Sequence, residues 1–242
     1  MNRRSFLGKS ALLSAGLGGL VTSNTLTAEN SKNSSVIKKL NAPSQGTIPV
    51  AFCISQDVTL IDFAGPWEVF NNVMIPERGS DHATQMPFEL YTVSDSMDPV
   101  HSGALQLIPN FTFENAPTPK VVVIPAQRGS AALHNWLKKV SETADLTMSV
   151  CTGAFQLARA GLLSGRPATT HHAFTDKLQK DFPDVTVKRG VRFVESTDRI
   201  STAGGLSSGI DLALHVVERY FGHAVAEHTA AYMEYQGKGW IV

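Results

Sequence analysis

Apolar positions along this 242-residue chain alternate between two patterns, short unbroken runs and runs spaced by three and four. "IPVAFCI" (48–54) is an unbroken run suited to a strand covered on both faces. The "SQD" turn follows, and then "GPWEVFNNVM" (65–74), where Trp67, Phe70 and Met74 recur at helical spacing. The pair is repeated downstream. "FELYTVS" (88–94) alternates like a strand, and "HSGALQLIP" with "NFTFENAP" (101–117) predicts an extended excursion before the strand "KVVVIPA" (120–126). In "SAALHNWLKKV" (130–140), Leu133, Trp136, Leu137 and Val140 share one helical face. "LTMSV" (146–150) predicts a strand, and "TGAFQLARAGLL" (152–163) a helix ended by Gly165. "PATTHH" (167–172) is strand-like, and "AFTDKLQKDF" (173–182) is a helix stopped by Pro183. "VTVKRGVRFVES" (185–196) predicts a hairpin or two short strands around Arg189 and Gly190. "RISTA" leads through "GGLSSG" into the helix "IDLALHVVERYFG" (210–222), and "AVAEHTAAYMEYQ" (224–236) closes the pattern as an amphipathic helix. Strands and helices in this order predict an α/β fold, a doubly wound, mostly parallel sheet with helices on both faces. In such sheets ligands sit beyond the carboxyl ends of the strands, so the strand-to-helix turns are the places to look for chemistry.

Composition narrows the picture. A hydrophobic share of 43% in 242 residues supports one well-cored domain. Lys+Arg and Asp+Glu are both 21, so no basic excess draws the chain to a phosphate backbone, and nucleic acid is not an expected partner. The first 28 residues carry Arg3 and Arg4, then Phe6 and Leu7 and a small-residue apolar segment, the pattern of a twin-arginine export signal. That segment is too short and too rich in Gly and Ser for a stable membrane span. The expected location is therefore periplasmic. Residues 29–47 are polar and read as a linker, leaving 48–236 as the domain and 237–242 as a C-terminal tail. With only Cys53 and Cys151 there is no disulfide framework and no thiolate cluster for zinc, and His223 and His228 are off a shared helical face, so no metal is expected.

Cys151 falls where the apolar run "LTMSV" gives way to a helical pattern. Ser149, Val150, Cys151, Thr152 and Gly153 fit a nucleophile elbow, a tight turn that presents a reactive side chain between small neighbours. A helix beginning at Thr152 places free N–H groups beside the sulfur, which predicts a lowered thiol pKa and donors for a developing negative charge. The alternative is a packed structural cysteine, the commonest fate of the residue type.

Three segments, "DVTLIDFAGPWEVF" (57–70), "SVCTGAFQLARAGLLSGRPATTHH" (149–172) and "STAGGLSSGIDLAL" (201–214), together resemble the ThiJ/PfpI superfamily of class I glutamine-amidotransferase-like proteins. The branch they resemble is the isonitrile-hydratase-like one, which is also similar to the N-terminal domain of AraC-type regulators. The resemblance implies a flavodoxin-like fold, Cys151 as nucleophile, no cofactor, a small-molecule substrate and a homodimer. It assigns the acid that accompanies the cysteine to Asp62, in the Asp-x-x-Gly-Pro core, where a raised pKa would let it shuttle a proton; a helix N-cap is the alternative for Asp62. Glu68 is the backup acid. His171 follows "ATT" where the superfamily often carries a histidine near the cysteine, and His172 stands where many relatives have tryptophan. Relatives show Pro-Gly-Gly after the strand 120–126, part of an oxyanion hole; here Ala126 and Gln127 occupy those places, and a Cβ resists positive φ. Thr152, after the nucleophile, fits the isonitrile-hydratase branch and not the protease-like one. The resemblance leads to hydration or hydrolysis of a small electrophile, with a non-catalytic ligand-binding or redox-sensing module as the alternative.

Overall fold

The structure, a computed structural model, describes residues 38–242. The export-signal reading and residues 29–37 of the linker lie outside the described residues. The elements run β1 (Ile48–Cys53), α1 (Leu60–Asn71), α2 (His82–Gln85), β2 (Phe88–Ser94), β3 (Val100–Ser102), β4 (Leu105–Leu107), β5 (Phe111–Thr112), β6 (Val121–Ile124), α3 (Ala131–Ser141), β7 (Leu146–Ser149), α4 (Ala154–Arg159), β8 (Pro167–Ala168), α5 (Thr175–Asp181), β9 (Thr186–Val187), β10 (Phe193–Thr197), β11 (Ile200–Ala203), α6 (Ser208–Phe221) and α7 (His223–Tyr232). Short 3-10 turns occupy Pro76–Arg78, Cys151–Gly153 and His172–Phe174.

Seven strands form one sheet in the order β10-β11-β7-β6-β1-β2-β5, parallel except for the β10–β11 pair. This is the flavodoxin-like α/β architecture. The unbroken apolar runs are explained by burial on both faces, since successive side chains of a strand point to opposite sides. Ile48, Val50 and Phe52 of β1 enter a core shared with α1, α6 and α7, while Ala51 and Cys53 enter a second core with α3, α4 and α5. β6 divides in the same way, with Val121 and Val123 on one side and Val122 and Ile124 on the other. From β1 the chain turns to β2 on one side and later returns to β6 on the other. The turns after β1 and β6 therefore diverge and open a crevice at the carboxyl ends of the central strands.

Several elements differ from their sequence expectation. α1 begins at Leu60, not at Gly65, so Gly65 and Pro66 lie within it. Gly65 is tolerated because the helix packs closely on α6; a Cβ there would stand 3.0 Å from Ile210 Cγ1. The helix expected over 152–163 ends at Arg159, because Gly161 takes a left-handed conformation (φ +76°) only two residues later. Of the two forms expected for 185–196, the two short strands are found and the hairpin is not: β9 pairs with β8, and β10 pairs with β11 at the sheet edge. The excursion resolves into a β3–β4 hairpin and the edge strand β5.

The packed body is also wider than 48–236. Leu40 N–H donates to Arg219 C=O (2.8 Å) and Arg219 Nε donates to Lys38 C=O (2.9 Å), while Leu40 and Ala42 pack on the α6–α7 core. At the other end Trp240, 1% exposed, stacks on His223, and its Nε1 donates to Gly237 C=O. The segments read as linker and tail thus contribute residues 38–47 and Trp240 to the fold, and single apolar anchors in polar surroundings carry too little periodicity to announce it. Among the described residues no helix is long and apolar enough to cross a membrane.

Candidate active site

Turns following β1, β6, β7 and β11 meet at Cys151. The cysteine has φ +57°, a left-handed value that a residue with a Cβ takes at a cost of about 1–3 kcal/mol. Its surroundings hold that conformation. Cys151 N–H donates to Gly204 C=O (2.8 Å), Thr170 Oγ1 donates to Cys151 C=O (2.8 Å), and Val150 N–H donates to Ile124 C=O (3.0 Å). Gly153 is required by contact, not by φ: a Cβ there would lie 2.0 Å from Ile124 O. The turn is therefore pressed against the end of β6, and the thiol is buried, with the residue 7% exposed.

Asp62 reaches the same point from the first turn of α1. It is not the N-cap; Thr59 holds that position without a side-chain cap bond. Its carboxyl is fully buried, and Oδ2 accepts from Ala126 N–H at 3.2 Å. Oδ1 is enclosed without a hydrogen bond of regular geometry, although the Cys151 thiol and the Leu206 N–H are near enough to hold its pKa down. Burial outweighs these groups and raises Asp62 from 3.8 to about 6.

The thiol corrects the expectation of a lowered pKa. Burial first, and then the Asp62 charge, push Cys151 up from 9.0 to about 11. The N–H groups of Thr152 and Leu206 pull the other way and are outweighed. A buried carboxyl next to a buried thiol retains one shared proton over the interval between these values, a property of the pair and not of either residue. Asp62 is then ionised at neutral pH and poised to take the thiol proton.

Ala126, expected to offer an oxyanion donor, spends its N–H on Asp62. Neither Ala126 nor Gln127 adopts positive φ, the region that a Cβ disfavours. The donors directed at the reacting pair are instead Thr152 N–H and Leu206 N–H. Leu206 was missed by sequence reasoning. It sits in "GGLSSG" with φ +53°, and the glycine pair before it was the available signal of a strained turn. Gly204 and Thr170, which fix the cysteine backbone, were missed too.

His171 lies beside the elbow, its ring filling the space that Gly205 leaves; a Cβ on Gly205 would be 2.2 Å from His171 Cδ2. Its Nδ1 accepts from Ala173 N–H (3.2 Å), and its ring lies tilted against that of His172, centroids 4.3 Å apart. Among the described residues no hydrogen bond joins it to Cys151 or Asp62. Both histidines line a cavity of about 490 Å³ with Thr170, Arg189, Arg192 and Leu206. Glu68 is exposed, takes the Asn72 amide (3.1 Å) and stays apart from the pair. Cys53 is buried in β1, and both cysteines are free thiols.

The model of the DJ-1/PfpI family matches residues 49–219. Isonitrile hydratase of Pseudomonas putida is 29% identical over 195 residues, 78% of each chain. The HTH-type transcriptional regulator GbdR of Pseudomonas aeruginosa is 28% identical over 194 residues, 76% of this chain, which spans half of that regulator's length. Among solved structures, a ThiJ/PfpI family protein from Pseudomonas syringae superposes with a TM-score of 0.68 at 26% identity, over 81% of this chain and 78% of that one.

Proposed function

Since the chain belongs to the DJ-1/PfpI family, we propose that it is a cofactor-independent hydratase of isonitriles or similar small electrophiles, with Cys151 as nucleophile and Asp62 as proton carrier. The observation that carries this reading is the burial of an ionisable carboxyl against the thiol of a strained elbow. Similarity to isonitrile hydratase supports the reaction class.

In the proposed cycle Asp62 takes the Cys151 proton as sulfur bonds to the terminal isonitrile carbon, then delivers it to that carbon, giving a thioimidate. Water adds to the same carbon, its hydroxyl staying there and its proton passing to nitrogen. The tetrahedral adduct collapses, the C–S bond breaks, and the hydroxyl proton returns through Asp62 to sulfur. The product is the N-substituted formamide, and the enzyme is regenerated. The donors at Thr152 and Leu206 stabilise the sulfur as it leaves.

The test is turnover of cyclohexyl isocyanide to its formamide. Activity lost in Cys151→Ala supports the reading; activity retained there, or none in the wild type across a panel of small isonitriles and aldehydes, overturns it. The regulators among the relatives favour a second reading, a pocket that binds a small molecule without turnover. Saturable binding without product in the wild type would support that one. A peroxide sensor is disfavoured by the raised thiol, since the thiolate is the form that oxidises.

A further inference from the structure

Two cavities flank the elbow, and their charges differ. In the larger one the two guanidiniums are already neutralised, Arg189 by Asp176 and Arg192 by Asp211. The smaller, of about 220 Å³, is walled by Gln127, Thr152, Phe155, Arg159, Phe174 and Lys177, with Gln156 behind them. Its wall includes Thr152 of the nucleophile turn and Gln127, the residue after the Asp62 donor Ala126. Lys177 is engaged by Asp181 (2.8 Å). The exposed Arg159 is not engaged: among the described residues its side chain makes no ion pair and no hydrogen bond, and its guanidinium lies 5.8 Å over the Phe155 ring. Stacking on an aromatic face orients a guanidinium and leaves its N–H edge open to a planar oxyanion.

A second feature points to a ligand. The Gln127 side-chain amide is enclosed with neither Oε1 nor Nε2 partnered, an arrangement that costs stability unless something completes it. The wall around it is fixed. Gln156 Nε2 donates to Gln127 C=O (3.1 Å), and Gln156 Oε1 is paired with His134 Nε2 (2.9 Å). Gly129 accommodates Gln156 because it lacks a Cβ, which would stand 1.9 Å from Oε1. An amide that needs both a donor and an acceptor matches a formamide, with its N–H and C=O.

We propose that this cavity is the substrate subsite and that it selects a small electrophile carrying a carboxylate, read by Arg159, with its body between Phe155 and Phe174, and that the formamide formed from it pairs with Gln127. The size suits a ligand smaller than those of pockets of roughly 300–1,000 Å³. The identity of the electrophile rests on the hydration reading above; the anion site does not.

Isocyanoacetate and its ethyl ester, which differ by one charge, form the test pair. In the wild type kcat/KM favours the acid, and Arg159→Gln lowers the acid-to-ester ratio by about tenfold to a hundredfold, the range of a charge-assisted hydrogen bond. Arg159→Lys restores part of it, and Lys139→Gln, on the exposed side of α3, keeps the wild-type ratio. An unchanged ratio in Arg159→Gln overturns the proposal. Calorimetry with N-formylglycine, the product of the acid, separates the two levels. Binding that is lost in Arg159→Gln, with neither isonitrile turned over, sinks hydration and upholds the anion site. No binding up to millimolar concentrations, or equal competition by inorganic phosphate, overturns the carboxylate subsite whatever the turnover.

Discussion

Replacing Asp62 by Asn should move thiol reactivity and turnover in opposite directions. Cys151 rises from 9.0 to about 11 through burial and the Asp62 charge, a change worth about 3 kcal/mol. Burial is the larger cause, so at most about half is assigned to the carboxylate, which is up to about tenfold in thiolate population. Asp62→Asn removes that charge and preserves shape. Alkylation of Cys151 by iodoacetamide at pH 7.5 should therefore accelerate, by up to about tenfold, while turnover falls by about 10²–10⁴ for want of a proton carrier. The variant must also fold. Asp62 is raised from 3.8 to about 6, so its protonated form favours the native state fully below pH 3.8, and that contribution is lost as pH rises through about 6. The loss at neutral pH is about 3 kcal/mol, and Asn does not suffer it. Asp62→Asn should melt several degrees above the wild type at pH 7.5, with the gap closing toward pH 4. Slower alkylation in the variant would refute the reasoning, because it would mean that a protonated Asp62 was holding the thiolate in place.

Other outcomes are expected from the site, the packing and the N-terminal sequence. Wild-type turnover should rise with pH through about 6 as Asp62 ionises, and a profile flat from pH 5 to 8 would remove Asp62 as the base. Gly153→Ala drives a Cβ to 2.0 Å from the Ile124 carbonyl; thermal unfolding should report a loss of about 1–3 kcal/mol or more, and an unchanged melting temperature would deny the close approach. Trp240→Ala empties a site that is 1% exposed and should cost about 3–5 kcal/mol in urea unfolding. Arg3→Lys with Arg4→Lys should abolish export of the full-length chain, and unchanged fractionation would dismiss the twin-arginine signal.

How far the sequence carried depends on range. The strands of the sheet were legible because burial on both faces leaves unbroken runs such as "VVVI", and α3 because one apolar stripe faces one core. Element ends were less legible. The start of α1 was misplaced because Gly65 and Pro66 ordinarily punctuate a chain, whereas here both lie inside the helix and Gly65 lets it approach Ile210. Strand partners were also out of reach: nothing in "VTVKRGVRFVES" says that its halves pair with different strands, since pairing is decided by residues far away.

At the site, the turn around Cys151 was visible as a local pattern, but its electrostatics were not. An elbow and a helix start argue for a depressed thiol pKa, and two N–H groups do act in that direction. What reverses the sign is first the burial of the thiol itself and then the charge of the fully buried Asp62, brought across 89 positions of sequence. Burial raises the acid and the thiol together, so one proton is confined to the pair and cannot be lost to solvent over several pH units. A depressed thiol would suit a nucleophile that must attack unaided. A confined proton suits a reaction in which sulfur and hydrogen must both reach the same carbon, as hydration of an isonitrile demands.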